Sequence, residues 1–197
     1  MHTDDPCLSI KSPSGVGLLI IDLINDLAFP GAEPLRKACR SIVDDLLGLR
    51  AQADEAGVPT IYVNDNFGQW RGERAEIVAH AARAESPARD IVEKLKPREK
   101  DFFVIKPRFS GFYATTLPVL LPQLGIQRLI LTGVATDICV LFTAADAHMR
   151  EYGLWVPENL VASDDPQRDA WALEIMRNSM GARTASSRAL ALDDWLS

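Results

Sequence analysis

The sequence predicts an α/β fold: a three-layer α/β/α domain built on a six-stranded, mostly parallel, doubly wound sheet. Three observations lead to it. Continuous apolar runs such as Val16-Gly17-Leu18-Leu19-Ile20-Ile21 and Leu129-Ile130-Leu131 lack polar alternation, as expected of strands buried on both faces of a parallel sheet. Stretches with helical spacing stand between such runs, so strands and helices alternate along the chain. Crossovers between parallel strands are right-handed, which places the helices on both faces.

Residues 1–15 are polar and contain Pro6, Pro13 and Gly15. They are expected to form a flexible N-terminal arm, and residues 16–197 a single domain. Gly15 and Gly17 precede the first strand instead of following it, unlike a dinucleotide-binding turn. That strand, Val16 to Ile21, ends in Asp22, with Asn25 and Asp26 close behind. After the turn Phe29-Pro30-Gly31, Pro34 suits the first turn of a helix. Its apolar positions Leu35, Ile42, Val43, Leu46, Leu47 and Leu49 carry it to about Ala56, and Gly57 is its stop signal. Val58 to Val63 reads as the second strand and runs into a polar and aromatic loop, Asn64 to Trp70.

A helix over Glu73–Ala84 and a shorter one from Ser86-Pro87 to Leu95 lead to the third strand, Asp101 to Ile105. Lys106-Pro107-Arg108 closes that strand. A helix spans Thr115 to Leu124, with Pro118 in its first turn and Gly125 after it. The fourth strand covers Arg128 to Leu131. Gly133 then permits a tight turn, and Thr136 and Asp137 are N-cap candidates for a helix over Ile138–Met149. Leu154 to Pro157 is the fifth strand, Asp165-Pro166 opens a helix through Asn178, Ala182 to Ala185 is a weak sixth strand, and residues 188–196 form a last short helix.

Composition narrows the function. The 197 residues, 47% hydrophobic and 24% charged, are those of an ordinary globular domain. With 21 Lys and Arg against 27 Asp and Glu, the net charge is −6, which repels a phosphate backbone, so no nucleic-acid partner is expected. Cys7, Cys39 and Cys139 form no CxxC or Cys/His metal spacing. So sparse and odd a set fits a reducing compartment. The N-terminus has no signal-like apolar segment, and no apolar run reaches the length of a membrane span. The expectation is a cytoplasmic protein, without membrane contact, acting on a small-molecule substrate.

Three chemically complementary groups each follow an apolar strand: Asp22, Lys106 and Cys139. In a parallel sheet those strand ends share one edge, where open α/β sheets bind ligands. A carboxylate there can take the thiol proton, and a lysine can stabilise both anions; this is the pattern of an activated nucleophile. A cysteine in a helix's first turn is also expected to have a lowered pKa. Taken singly, each group has a plainer explanation: a capping Asp, a surface Lys, a small core Cys. A phosphoacceptor receiver domain would need an Asp where Lys106 stands. A thiol-redox protein would need a resolving partner for Cys139.

Leu19-Ile20-Ile21-Asp22 with Asn25-Asp26, Ile105-Lys106-Pro107 with Ser110-Gly111-Phe112, and Gly133-Val134-Ala135-Thr136-Asp137-Ile138-Cys139-Val140 together resemble the isochorismatase-like cysteine hydrolase superfamily. The resemblance covers roughly Val16 to Ser186. It implies the isochorismatase-like hydrolase fold and hydrolysis of a small amide, ureido or carbamoyl compound through a thioester. Asp22 would act as base and acid, Lys106 as the stabilising cation, and Cys139 as the nucleophile. The Val134–Ala135 peptide would be cis, and the N–H groups of Ala135 and Cys139 would form the oxyanion hole. Leu27, Asn66, Trp70, Phe112 and Thr136 are the candidate substrate-binding residues, and a homodimer or homotetramer is expected. Nicotinamidases carry an Asp-x-His metal motif where this chain has Asp65-Asn66-Phe67, so no metal and no other cofactor is expected. Ile24 stands where many relatives have glutamine. The alternatives within the same fold are an ether hydrolase of isochorismatase type and a catalytically silent interaction subunit.

Overall fold

The computed structural model describes residues 11–68 and 72–197. Its elements are β1 (Val16–Ile21), α1 (Glu33–Glu55), β2 (Thr60–Asp65), α2 (Arg74–Ala81), α3 (Arg89–Leu95), β3 (Phe102–Lys106), α4 (Leu117–Gln123), β4 (Arg128–Val134), a π-helical turn (Thr136–Val140), α5 (Leu141–His148), β5 (Gly153–Trp155), β6 (Val161–Ala162), α6 (Pro166–Met180) and α7 (Leu192–Leu196). The sheet is six-stranded, in the order β3-β2-β1-β4-β5, with β6 also paired to β4. All of its strand pairs are parallel.

The apolar runs explain the layering. Along β1, Leu18 and Ile20 enter one core while Leu19 and Ile21 enter the other. Alternate side chains of a strand point to opposite faces, so a strand apolar at every position must be covered on both. The first core is closed by α1, α2, α3 and α7, the second by α4, α5 and α6. Cys39, Ile42, Val43, Leu46, Leu49 and Ala53 form the buried stripe of α1. The ends of α6 follow the expected chemistry: Asp165 caps its first turn, accepting from the N–H groups of Gln167 (2.8 Å) and Arg168 (3.3 Å). Gly181 ends it in the left-handed conformation.

After β3 the chain returns to the far side of β1, so the strand order reverses between β1 and β4. Such a reversal opens a crevice at the carboxyl ends of the strands. The loops after β1 and β4 therefore meet at one place.

The sixth strand is not where the sequence pattern put it. Arg183 makes only an isolated bridge to Trp155, and the paired segment is Val161–Ala162. The reason is a mismatch of length. β4 has seven residues and β5 three, so β5 pairs only with Arg128–Ile130, and β6 takes the remaining edge at Gly133–Val134. Residues 11–15, expected in the arm, are tied to the body: Ser12 N–H donates to the Leu124 carbonyl (2.8 Å), and the Gly15 carbonyl accepts from Gln127 and Arg128. Residues 1–10 lie outside the described residues. Among the described residues, no helix is long and apolar enough to cross a membrane.

Candidate active site

Asp22 follows β1 directly. Its backbone has φ 54°, a region L-residues seldom adopt, and backbone outliers of this kind concentrate at functional sites. The conformation is held by bonds to β2: Asp22 N–H donates to the Val63 carbonyl (3.0 Å), and Asp65 N–H donates to Asp22 Oδ1 (2.7 Å). Asn64 braces the same loop, accepting from Ile24 N–H (3.1 Å) and donating to the Ile24 carbonyl (3.0 Å). Lys106, the last residue of β3, is fully buried. A buried ammonium needs partners, and it has them: Nζ lies 2.7 Å from Asp22 Oδ2, 3.4 Å from Cys139 Sγ and 3.7 Å from Asp65 Oδ2.

Cys139 reaches this pair because β4 ends in an unusual way. Gly133 has φ 108°, and a Cβ there would lie 2.0 Å from the Ile21 carbonyl oxygen. Only glycine lets the end of β4 approach β1 so closely. The Val134–Ala135 peptide is cis. The Ala135 carbonyl then accepts from both Ile138 N–H and Val140 N–H (each 3.1 Å). The bond to Val140 spans five residues, so the turn is π-helical, and it passes over the Cys139 N–H. Thr136 and Asp137 lie inside this turn, and neither caps it. Ala135 stands at the cap position, and no side chain there bonds to the backbone. The expected capped helix is thus replaced by a wide turn that feeds α5.

The electrostatics also differ from expectation. The Cys139 thiol is pushed up to about 12, chiefly by burial and then by the charge of Asp22, with Lys106 opposing. The direction is opposite to the helix-end effect expected from the sequence, because burial and the neighbouring carboxylate both disfavour the thiolate. Burial likewise raises Asp22 above the usual carboxylate range, against the pull of Lys106. Burial alone would lower Lys106, but Asp22 and Cys139 together hold it above the usual lysine range. Burial and Asp22 thus act against the Cys139 thiolate, the Asp22 carboxylate is more basic than usual, and the Lys106 ammonium touches both side chains.

A cleft opens onto Asp22 and Cys139, with Phe29, Leu35, Phe67, Val134 and Ala135 among its walls and Asn25, Asp26 and Asp65 as its polar members. Asp26 is held from α2 and the segment after it, by His80 Nε2 (3.1 Å) and Arg83 (2.7 Å). Four of the candidate substrate-binding residues do not line this cleft. Leu27 is buried in the first core. Asn66 spends its Oδ1 on its own turn, accepting from Gly68 N–H (2.9 Å). Phe112 is buried in the second core against Tyr152 and beneath the Arg150 guanidinium. Thr136 is fully buried and neighbours Asp169 of α6. Trp70 lies outside the described residues.

The sequence reading overlooked Phe29 and Leu35 as walls, whereas Phe67 belongs to the polar and aromatic loop it singled out. The first two are separated from Asp22 by a turn whose course no local pattern reveals. Among the described residues, no group of three or more His, Cys, Asp or Glu side chains is arranged to hold a metal ion.

The family model described as "Isochorismatase domain" matches residues 16–189. An isochorismatase family protein of Bacillus subtilis, YaaI, is 37% identical over 91% of this chain and 98% of its own length. Two solved structures are similar. The nicotinamidase SaPncA of Staphylococcus aureus has a TM-score of 0.67 at 25% identity, over 88% of this chain and 99% of that one. The N-carbamoylsarcosine amidase of Thermoplasma acidophilum has a TM-score of 0.61 at 25% identity, over 89% and 98%.

Proposed function

Because the chain belongs to the isochorismatase family, we propose that it is a cysteine hydrolase cleaving the C–N bond of a small amide, ureido or carbamoyl compound. The observation that carries this reading is the Lys106 ammonium, 2.7 Å from Asp22 Oδ2 and 3.4 Å from Cys139 Sγ. The amide and carbamoyl activities in the names of its structural neighbours support the bond type.

Asp22 takes the Cys139 proton as sulfur attacks the carbonyl carbon. A C–S bond forms, and the carbonyl π pair moves onto oxygen. The backbone N–H groups of Ala135 and Cys139 receive that oxyanion. Asp22 returns the proton to nitrogen, the C–N bond breaks, and ammonia or an amine leaves a thioester. Asp22 then draws a proton from water as its oxygen attacks. The C–S bond breaks, the acid departs and the thiol regains its proton. A thiol of high pKa suits this order of events, because the proton leaves only as the new bond forms. Lys106 keeps the charge near constant throughout. Losing one oxyanion donor typically costs about 3 kcal/mol in such sites.

The cleft supports a compact substrate with an apolar body. Its walls are aromatic and aliphatic, and Asp65 adds a carboxylate facing the same space. An ammonia-release screen over small amides, ureas and carbamoyl compounds, run beside Cys139→Ala, tests the reading. Turnover by the wild type and none by the variant is expected. Unchanged turnover in Cys139→Ala would overturn the mechanism, and no turnover of any compound would overturn the proposed bond type.

A further inference from the structure

Behind the π turn lies a set of polar contacts that the mechanism does not use. Asp137 N–H donates to Ser163 Oγ (3.3 Å), and the Ser163 hydroxyl donates back to Asp137 Oδ1 (2.6 Å). The two bonds close a ring between the middle of the turn and the residue after β6, which is 26 positions away in sequence. Asp137 Oδ2 lies 3.5 Å from the Arg168 guanidinium in the first turn of α6. Ser163 is buried, and the Asp137 side chain is only 13% exposed. A capping box makes the same reciprocal pair of bonds within one helix end; here the second half comes from a distant segment.

The ring has a physical task. The Ala135 carbonyl accepts from Ile138 and Val140 and passes over Cys139, and a π turn is bound less regularly than an α-helix, so the aim of the Cys139 N–H depends on what holds the turn. The donors stabilise a transition state only if both aim at one point without reorganising. The Asp137 charge would itself oppose an oxyanion nearby; Arg168 offsets it.

Resting on the function proposed above, we propose that Ser163 and Asp137 are positioning residues that hold the Ala135 and Cys139 N–H groups in register for the oxyanion. Neither touches the substrate, and both act through the turn.

Two measurements on the full chain test this. The first is amide hydrogen exchange over residues 135–140, which needs no substrate. Ser163→Ala is expected to raise exchange there by about tenfold or more while β1 and β4 keep their protection. Ser163→Thr, which retains the hydroxyl, is expected to restore it. Exchange unchanged in Ser163→Ala overturns the proposal. The second is turnover of whichever amide the ammonia screen identifies. Misplaced donors should lower kcat by about tenfold or more and leave KM within about twofold. Alkylation of Cys139 by iodoacetamide needs no oxyanion donor and should stay within about twofold of wild type. A turn that loosens without loss of kcat overturns the proposal, as does a kcat loss matched by an equal loss of alkylation. If Ser163→Ala does not fold, Asp137→Ala against Asp137→Asn, which keeps the acceptor for Ser163, gives the same contrast. If the wild type hydrolyses no compound, the proposed function fails, and the exchange measurement alone decides about the ring.

Discussion

The chemistry of the site turns on where individual protons rest. Asp22, Lys106 and Cys139 could be picked out from the sequence because each stands at or shortly after the end of an apolar run. Their charge states could not. A thiol at a helix start suggests an acidic cysteine, yet burial beside Asp22 pushes Cys139 up to about 12. The sign follows from which form is penalised. Burial and a neighbouring carboxylate both disfavour the thiolate, so ionisation needs a higher pH than for a free thiol. Iodoacetamide labelling of Cys139 is therefore expected to be slow at neutral pH and to keep rising above pH ~9, beyond the pKa of about 8.5 of an ordinary thiol. A plateau near pH 8 would contradict this. Asp22 gives the opposite limb. In the proposed mechanism it must be ionised to accept the proton, and its pKa is raised. Turnover should fall as the pH drops through that raised value, at a pH higher than an ordinary Asp would set, and Lys106→Met should move that limb higher still by removing the neighbouring cation.

Among the elements, the junction of β4 and the π turn carries most of the specificity of the fold. Gly133 could be read from the sequence as a turn glycine, but its neighbour could not. A side chain there would meet the Ile21 carbonyl oxygen at 2.0 Å, and a φ of 108° adds backbone strain. Gly133→Ala is expected to destabilise the fold by about 2 kcal/mol or more, because the clash is with backbone and cannot be relieved by a rotamer change. Thermal unfolding measures it, and a melting temperature within a degree of wild type would show that the strands can part. The helices were largely legible because their signals are local: the α1 stripe, Gly57 as its stop, and Asp165-Pro166 opening α6. The π turn was not, since its side-chain contacts, Asp137 with Ser163 after β6 and with Arg168 of α6, come from segments far along the chain.

Seen whole, the molecule has a second packed end, remote from the site. The site lies at the carboxyl ends of the strands, while α7 closes the first core near their amino ends. There Trp195 is buried, and Arg128, the first residue of β4, donates to the Trp195 (2.6 Å) and Leu196 (2.8 Å) carbonyls. Trp195→Ala is expected to cost about 3–5 kcal/mol through the cavity it leaves. Turnover per folded molecule should be unchanged at a temperature where the variant is folded. A fall in kcat matching the loss of stability would show that the two ends are coupled.

By itself the sequence determined the alternation of strands and helices, the burial of both sheet faces, and the placing of a carboxylate, an ammonium and a thiol at strand ends. These follow from periodicity and from residues adjacent along the chain, which a linear pattern records directly. The tertiary structure alone decided which segment completes the sheet, which side chains wall the cleft, how the Cys139 turn is wound, and which way its thiol is shifted. Each of those depends on groups far apart in sequence, such as Gly133 against Ile21 or Asp137 against Ser163. Burial, too, is a sum over all such neighbours, so neither a shifted pKa nor a pocket wall is written in any one stretch of the chain.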